Sequence, residues 1–390
     1  METGNNGNGM RVCGIIAEYD PFHNGHAWQI SRVKQTLRAD YIVCVISCGF
    51  SQRGSAAFFS THTRARMALS AGADLVLGMP YAFGTAQANR FAMGGVGILH
   101  QLQVITHLCF GVEEQSLPLL SQAADADPLL TGKLKEGKSL ARSLGEALSE
   151  ALPGTSPAVF KAPNFILGVC YLQALSSLHS AIQPWPVPRQ GSYHASGIQP
   201  LPSATAVRGA LSRGDWAGVE ASVPATTLAI IREAAMKGLL HKEDALDSLL
   251  LGQLMTISPG QMRDTPEISE GLENRILACS RSVSSRRELI ECIKTKRYPY
   301  TRISRALTNL MVGIRQDDIP PVPPYARLLG FRRDAAPLLK AIGQSGLPLI
   351  SRPAKHNGTM LASDMLSEQL WAIGAGLSPD TAYREQVIIQ

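Results

Sequence analysis

The sequence predicts an α/β protein, with an N-terminal parallel sheet covered by helices on both faces and a mostly helical C-terminal part. From residue 11 to about residue 110, short apolar runs alternate with helical patterns. Strands buried on both faces of a parallel sheet have this continuous apolar character. Hydrophobic residues make up 45% of the 390 residues and charged residues 17%, which excludes a mainly disordered protein.

The predicted elements follow in chain order. We predict strands at residues 11–19, 41–48, 74–80 and 104–110, and a further candidate strand at 184–189. Helices are predicted between them at 24–38, 61–72 and 85–101, in a mainly helical stretch from about 113 to 180, and at 203–211. Beyond about residue 215 the periodicity is helical, and residues 300–314 carry one apolar stripe.

These elements divide the chain into three parts. Residues 1–10 form a flexible tail, and residues 11–215 form a Rossmann-like domain with a helical insertion at about 113–180. Residues 216–390 form a mostly helical, basic part. In open α/β sheets, ligands bind at the carboxyl ends of the strands near the switch point, so we look for a site there.

Charge is concentrated in one segment of the chain. The net charge is +6, but residues 271–334 alone contain 13 Lys/Arg and 6 Asp/Glu. Such a segment favours a polyanionic partner, and a solvated helix surface is the alternative.

The seven cysteines and the apolar runs indicate a cytoplasmic protein. Without CxxC pairs or zinc-type spacing, we predict buried free thiols, as in a reducing cytosol, and no metal site. No uncharged apolar run reaches the roughly 18 residues that a membrane span needs, and the N-terminus lacks the apolar region of a secretory signal.

The segment Asp-Pro-Phe-His-Asn-Gly-His (residues 20–26) follows the first predicted strand and opens the first helix. A glycine at position 25 lets a nucleotide approach the backbone, and a helix N-terminus offers N–H groups to phosphate. Imidazoles at His23 and His26 can stabilise charge on phosphate oxygens, which suits nucleotidyl transfer. The alternative is a pair of capping or surface histidines.

Three further segments carry polar groups for such chemistry. Ser203, Thr205 and Arg208 form a possible phosphate clamp at a helix start, or a plain N-cap. Residues 49–54 (Gly-Phe-Ser-Gln-Arg-Gly) follow the second strand and can face the nucleotide, or form a surface turn. Residues 296–305 interleave bases with tyrosines, which suits RNA, or form a basic helix without a ligand. The expected RNA-binding residues are Lys296, Arg297, Tyr298, Arg302 and Arg305.

The chain resembles the bacterial tRNA(Met) cytidine acetate ligases, which share the H-x-G-H motif of a nucleotidyltransferase superfamily. The resemblance begins at residues 14–26 and continues in order through the segments 52–54, 64–68, 72–76, 108–111, 164–168, 203–208, 296–303 and 329–332.

The resemblance implies an enzyme that activates acetate with ATP as acetyl-adenylate. The acetyl group then passes to N4 of the wobble cytidine of elongator tRNA(Met). It implies ATP as cofactor with Mg²⁺ beside it, tRNA and acetate as partners, and His23 and His26 as catalytic residues. The implied ATP contacts are Ile16, Ala17, Glu18, Tyr19, Asp20, Pro21, Phe22, His23, Asn24, Gly25, His26, Ala27, Gly111, Asn164 and Arg189.

The sequence departs from the family pattern at three places around one cleft. Asp20 replaces an asparagine, residues 48–57 lack an asparagine and a glutamate, and Asn89 replaces an acid. An acid near ATP phosphates repels them unless Mg²⁺ or a base intervenes. Two alternatives therefore stay open: a nucleotidyltransferase with a small phosphorylated acceptor, and a catalytically altered RNA-binding relative.

Overall fold

The computed structural model describes residues 9–125, 140–151, 155–156, 158–188 and 203–390, which contain an eight-stranded sheet. Its strands are Val12–Ala17 (β1), Tyr41–Ser47 (β2), Leu75–Met79 (β3), His107–Val112 (β4), Gln183–Pro188 (β5), Ala326–Phe331 (β6), Leu349–Ile350 (β7) and Ile388–Ile389 (β8). The first five strands are parallel and lie in the order β5-β4-β1-β2-β3. The predicted parallel sheet is confirmed, and β1 lies at its switch point, between β4 and β2.

The sheet continues beyond these five strands. Strand β6 pairs antiparallel with β3, and β7 and β8 pair parallel with β6. The sequence analysis expected only helices after about residue 215, and the structure corrects this. Six residues interrupted by the buried Arg327 give no clear strand pattern, so β6 escapes a search for periodicity.

Helices cover both faces of the sheet, as predicted. In the first half of the chain they are Asn24–Arg32 (α1, continued by a π-helical turn Val33–Leu37), Thr61–Ser70 (α2), Tyr81–Gly84 (α3), Ala88–Gln101 (α4), Leu117–Asp125 (α5), Leu140–Ala151 (α6) and Pro163–Ser177 (α7). In the second half they are Ala204–Ser212 (α8), Trp216–Ser222 (α9), Ala225–Met236 (α10), Asp247–Thr256 (α11), Pro259–Arg263 (α12), Leu272–Ser280 (α13), Arg286–Ile293 (α14), Tyr300–Val312 (α15), Ala336–Ile342 (α16), Thr359–Gly374 (α17) and Thr381–Arg384 (α18).

Strand β2 shows how the two faces are filled. Val43 and Val45 belong to one apolar cluster with residues of α4 and α7. Ile42, Cys44 and Ile46 belong to a second cluster with residues of α1, α2 and α10. Because side chains alternate along a strand, one continuous apolar run supplies both cores.

Buried carboxylates anchor α17 to the sheet. Glu368 Oε1 lies 2.9 Å from Arg327 Nη1 of β6 and accepts a bond from Thr61 Oγ1 at 2.7 Å. Asp364 accepts bonds from the Tyr81 N–H and the Tyr325 hydroxyl, both at 2.7 Å. Burial raises the pKa of Asp364 to about 7.

The cysteines differ from the prediction in one respect. Cys279 of α13 and Cys292 of α14 form a disulfide, so the expectation of seven free thiols is wrong for this pair. Their helices pack side by side and bring the two Cα atoms to 5.9 Å. The spacing of 13 residues in the sequence does not predict this proximity. The free cysteines Cys13, Cys44, Cys48, Cys109 and Cys170 are all buried.

Within the described ranges, no helix combines the length and the apolar character that crossing a membrane requires.

Candidate active site

The H-x-G-H segment lies where the sequence placed it, after β1 and at the start of α1, with His23 as the N-cap and His26 in the first helical turn. The carboxyl ends of β1, β2 and β4 meet at this edge because these strands are parallel neighbours. The first turn of α1 therefore points its N–H groups toward the edge at which α/β sheets bind ligands.

His23 and His26 cap α1. His23 Nδ1 accepts a bond from the Gly25 N–H at 3.1 Å, and His26 Nδ1 accepts one from the His23 N–H at 3.2 Å. The capping alternative thus describes real contacts. It does not compete with a role at phosphate, because an imidazole that accepts through Nδ1 carries its proton, when neutral, on Nε2.

The two imidazoles form one stacked unit. Their ring centroids lie 3.7 Å apart, and Tyr19 and Phe22 contact the His26 ring at 4.8 and 5.3 Å. His23 is only 7% exposed. This packing fixes both rings at the positive end of a helix, which is an arrangement that stabilises negative charge.

Asp20, the departure closest to the histidines, is held by the protein itself. Its carboxylate accepts bonds from the Phe58 and Phe59 N–H groups at 2.8 and 3.0 Å, and Arg208 Nη1 lies 3.7 Å from Oδ2. The sequence analysis called for Mg²⁺ or a base beside Asp20, and the structure places the base Arg208 there. Two N–H groups and a guanidinium thus compensate the charge of this carboxylate within the protein.

The structure brings the predicted clamp to the H-x-G-H loop. Arg208 of α8 donates to the Asp20 carbonyl oxygen and, through Nη2, to Thr205 Oγ1 at 3.2 Å. Ser203 Oγ accepts the Ala206 N–H, so the N-cap alternative holds for this hydroxyl. The guanidinium of Arg208 is thus positioned by three groups next to the loop.

Two other expected ATP contacts lie at the end of β4. An ideal Cβ placed on Gly111 would meet no atom within 4 Å, so the protein leaves open space over this strand position. Asn164, near the start of α7, donates from Nδ2 to Glu113 Oε1 at 2.5 Å. Glu113 also accepts the Phe165 N–H at 2.9 Å and joins α7 to the end of β4. A glycine inside a strand typically marks a close approach by a ligand or backbone, which suits a nucleotide here.

Arg189, the last expected ATP contact, lies outside the described residues.

The loop from Gly49 to Ala57 lies beside the same edge. The Gln52 N–H donates to Glu18 Oε1 at 2.7 Å, just beyond the end of β1. Gly54 packs against α15, and its carbonyl oxygen accepts bonds from Thr308 Oγ1 at 2.6 Å and Arg286 Nη2 at 2.7 Å. The loop therefore joins the candidate nucleotide site to the helical part. The third departure, Asn89, is exposed in the first turn of α4 and bonds to the next N–H.

Arg64 of α2 is a functional candidate that the sequence analysis did not single out. The side chain is fully buried and donates to the carbonyl oxygens of Glu18 and Ser47 at 2.7 and 2.9 Å. Further bonds reach Cys48 and Phe59. One guanidinium thus fixes the loops after β1 and β2. The available signal was an arginine in the segment 64–68, one of the segments that carry the family resemblance.

The expected RNA-binding residues have mixed environments. Tyr298 is buried and donates its hydroxyl to the Glu270 carbonyl oxygen at 2.6 Å, so no base can stack on it in this conformation. Arg305 pairs with Glu267 at 2.8 Å, and Arg302 pairs with Glu270 at 3.1 Å. Arg297 lies 3.6 Å from Glu270 but stays exposed, as does Lys296. Much of the basic motif therefore fixes the loop at 267–270 to α15.

The site combines an anion-binding helix end, two fixed imidazoles, an anchored arginine and an open strand position. It contains no preformed nucleophile–base pair among the residues described above. Such an arrangement is suited to binding a nucleotide phosphate and to stabilising charge during its substitution.

Comparisons with known proteins agree with this geometry. A family model described as HIGH Nucleotidyl Transferase matches residues 10–385. The tRNA(Met) cytidine acetate ligase of Syntrophomonas wolfei subsp. wolfei is 35% identical over 379 residues, covering 90% of this chain and 91% of the relative. The tRNA(Met) cytidine acetate ligase of Lysinibacillus sphaericus is 34% identical over 387 residues, covering 93% and 94%.

A solved structure has the same fold. It is the crystal structure of Thermotoga maritima TmcAL bound with alpha-thio ATP, with a TM-score of 0.87 and 25% identity, and the match covers 97% of this chain and 100% of that chain.

Proposed function

The chain belongs to the tRNA(Met) cytidine acetate ligases of the HIGH nucleotidyl transferase family, and from this premise we propose that it acetylates tRNA at the expense of ATP. An acetate oxygen attacks the α-phosphorus of ATP, and pyrophosphate leaves. N4 of the wobble cytidine of elongator tRNA(Met) then attacks the acetyl carbonyl carbon. AMP leaves with the electron pair of the broken bond, N4 loses a proton, and N4-acetylcytidine results.

One observation carries this proposal: the stacked His23–His26 pair at the start of α1, with Arg208 anchored on the same loop at Asp20. The imidazoles stabilise charge on the α-phosphate, and Arg208 binds the departing phosphates. Gly25 and Gly111 allow the nucleotide to approach the backbone, and Asn164 and Arg189 hold it. The remaining residues of Ile16–Ala27 shape the ATP loop.

Mg²⁺ accompanies the triphosphate in this proposal. Within the described residues, no group of three or more His, Cys, Asp or Glu side chains lies together as a metal cage. This suits Mg²⁺, which commonly reaches a site on substrate phosphates with most of its water shell. The ion supplies charge neutralisation to the phosphates, and we assign it no protein ligand.

We further propose a division of labour along the chain. Residues 11–215 bind ATP and carry out the transfer, and residues 216–390 contribute the RNA surface in addition to three strands. A protein that modifies tRNA works where tRNA is used, so we propose a cytoplasmic location.

The test is transfer of labelled acetate into RNA. Purified protein is incubated with ATP, Mg²⁺, labelled acetate and bulk bacterial tRNA, and the RNA is digested to nucleosides. We expect label in acetylcytidine that disappears when ATP is omitted. Turnover that proceeds without RNA would instead favour a small-molecule acceptor, and tRNA binding without ATP consumption would favour a non-catalytic relative.

A further inference from the structure

The turn at residues 51–55 is rigid. The Ser51 N–H donates to the Ser55 carbonyl oxygen at 2.8 Å, the Gly54 N–H donates to the Ser51 carbonyl oxygen at 3.0 Å, and the two serine hydroxyls lie 2.8 Å apart. These bonds close the turn on itself, so the backbone of its central residues is fixed before any ligand arrives.

The turn is also bonded to two other parts of the molecule, the end of β1 and α15. The bond from the Gln52 N–H to Glu18 ties it to the end of β1. Gly54 has φ +83°, and an ideal Cβ there would lie 2.5 Å from the Arg305 backbone nitrogen of α15. Arg286 links the turn to α15 by donating to the carbonyl oxygens of Gly54 and Ser304 at 2.7 and 2.9 Å.

Arg53 occupies the tip of this turn. Its side chain is exposed, and within the described ranges it forms no ion pair or hydrogen bond with another side chain. The arginines of the predicted RNA motif, Arg302 and Arg305, are instead paired with acids. A cation held on a fixed backbone between the nucleotide site and α15 is therefore available to an external anion.

Tyr300 lies on the other side of the same contact. It is the first residue of α15, one helical turn before Ser304, and its side chain is 41% exposed. It follows the exposed Lys296 and Arg297 in the sequence, whereas Tyr298, which lies between Arg297 and Tyr300, is buried. Arg286 joins Gly54 to Ser304, so Arg53 is next in sequence to one end of this contact and Tyr300 lies one helical turn from the other.

We infer that Arg53 and Tyr300 hold the nucleotide next to the acceptor cytidine, with Arg53 binding its phosphate and Tyr300 stacking on its base. This inference rests on the proposed function. Single-stranded RNA loops are recognised by this combination of a guanidinium on the backbone and an aromatic ring on an unstacked base. The position at the carboxyl edge brings the anticodon loop to the end of the sheet that carries the histidines.

The direct test is the affinity for tRNA, measured by filter binding at several salt concentrations. We expect Arg53→Ala to weaken tRNA binding about tenfold, as is typical for loss of a charged hydrogen bond. It should also reduce the slope of log affinity against log salt by about one. Tyr300→Ala should weaken binding about tenfold with little change in slope, and Tyr300→Phe should restore it.

Arg333→Ala is the matched control. Arg333 is exposed and follows β6 at the opposite edge of the sheet, where the Arg332 N–H bonds to the Asp74 carbonyl oxygen just before β3. Arg333→Ala removes the same charge as Arg53→Ala, but at the opposite edge of the sheet. We therefore expect it to leave the tRNA affinity unchanged. Thermal unfolding checks that all four variants are folded.

The outcomes separate this inference from the proposed function. Unchanged affinity and salt slope in folded Arg53→Ala and Tyr300→Ala would overturn the inference, even where the wild type transfers acetate to tRNA. A wild type that binds tRNA without acetylating it would refute the proposed function. The expected losses in affinity would still support the inference in that case.

Discussion

His23 and His26 use Nδ1 to cap α1, and the proposed function assigns Nε2 to the phosphates of ATP. Their Nδ1 atoms cap α1, and this fixes the rings in a 3.7 Å stack. When the rings are neutral, the proton of each lies on Nε2, the atom that can donate to phosphate. Capping therefore orients the Nε2 atoms that the proposed function uses.

His23→Asn separates the two purposes. Asparagine is a strong N-cap, so we expect the free energy of unfolding to change by less than about 1 kcal/mol. The imidazole is lost, so acetyl-adenylate formation should fall about 10²- to 10³-fold. Urea denaturation and ATP-dependent transfer of labelled acetate measure the two effects. Transfer at the wild-type rate would contradict the role assigned to His23.

Asp20 illustrates how one residue changes meaning with its surroundings. On sequence grounds it threatened phosphate binding, but its carboxylate is balanced by two backbone N–H groups and Arg208. The departure from the family pattern is thus accommodated by groups outside the H-x-G-H loop, which come from residues 58–59 and from α8.

At the scale of elements, the contact between the 51–55 turn and α15 is one of the joints between the helical part and the carboxyl edge of the sheet. Gly54 makes this contact possible, because any side chain there meets the backbone of Arg305.

Gly54→Ala and Gly346→Ala form a matched pair. Both glycines have φ +83°, but an added Cβ would clash only at Gly54, since nothing lies within 4 Å of it at Gly346. We expect Gly346→Ala to cost about 1–2 kcal/mol for the left-handed conformation. Gly54→Ala should cost clearly more and also reduce acetyl transfer. Equal free energies of unfolding, measured with urea, would mean that the α15 contact is not tight.

The anchoring of α17 predicts a pH dependence of stability. Burial raises the pKa of Asp364 to about 7 in the folded protein, against about 4 in an unfolded chain. Between these values the folded state binds the extra proton, so this group's contribution is full below about pH 4 and is lost as the pH rises to about 7. Asp364→Asn does not titrate. The difference in unfolding free energy between wild type and variant should therefore change over this range, and a constant difference would refute the assignment.

At the scale of the whole molecule, the net charge of a segment overestimates the number of cations that are free to bind a partner. Nine of the 13 Lys/Arg in residues 271–334 have intramolecular partners, namely Arg275, Arg286, Lys294, Arg297, Arg302, Arg305, Arg315, Arg327 and Arg332. Many of its basic side chains hold the helices of the C-terminal part to one another or to the sheet. Among the described residues, the exposed cations of this segment without such a partner are Arg281, Arg287, Lys296 and Arg333, which are fewer than the composition suggests.

The Arg327–Glu368 pair joins α17 to β6, and Glu368 also accepts the Thr61 hydroxyl at the start of α2. Both side chains are under 10% exposed, so removing one leaves a buried charge. We expect Glu368→Leu to destabilise the protein by about 3–5 kcal/mol and the double variant with Arg327→Met to recover most of the loss. Urea denaturation measures both, and a double variant as unstable as the single one would contradict this explanation.

The sequence by itself determined four of the five parallel strands, with the fifth as a candidate, and it determined the position of the H-x-G-H loop at their carboxyl edge and the family. These follow from local periodicity, from the place of a motif between a strand and a helix, and from ordered short segments. Only the tertiary structure decided the strands β6 to β8, the Cys279–Cys292 disulfide and the pairing of Arg208 with Asp20. It also decided which tyrosine is accessible, since Tyr298 and Tyr300 are two residues apart in similar surroundings of sequence. The physical reason is that pairing and burial depend on residues distant in the chain, and a local pattern contains no information about which distant groups it will meet.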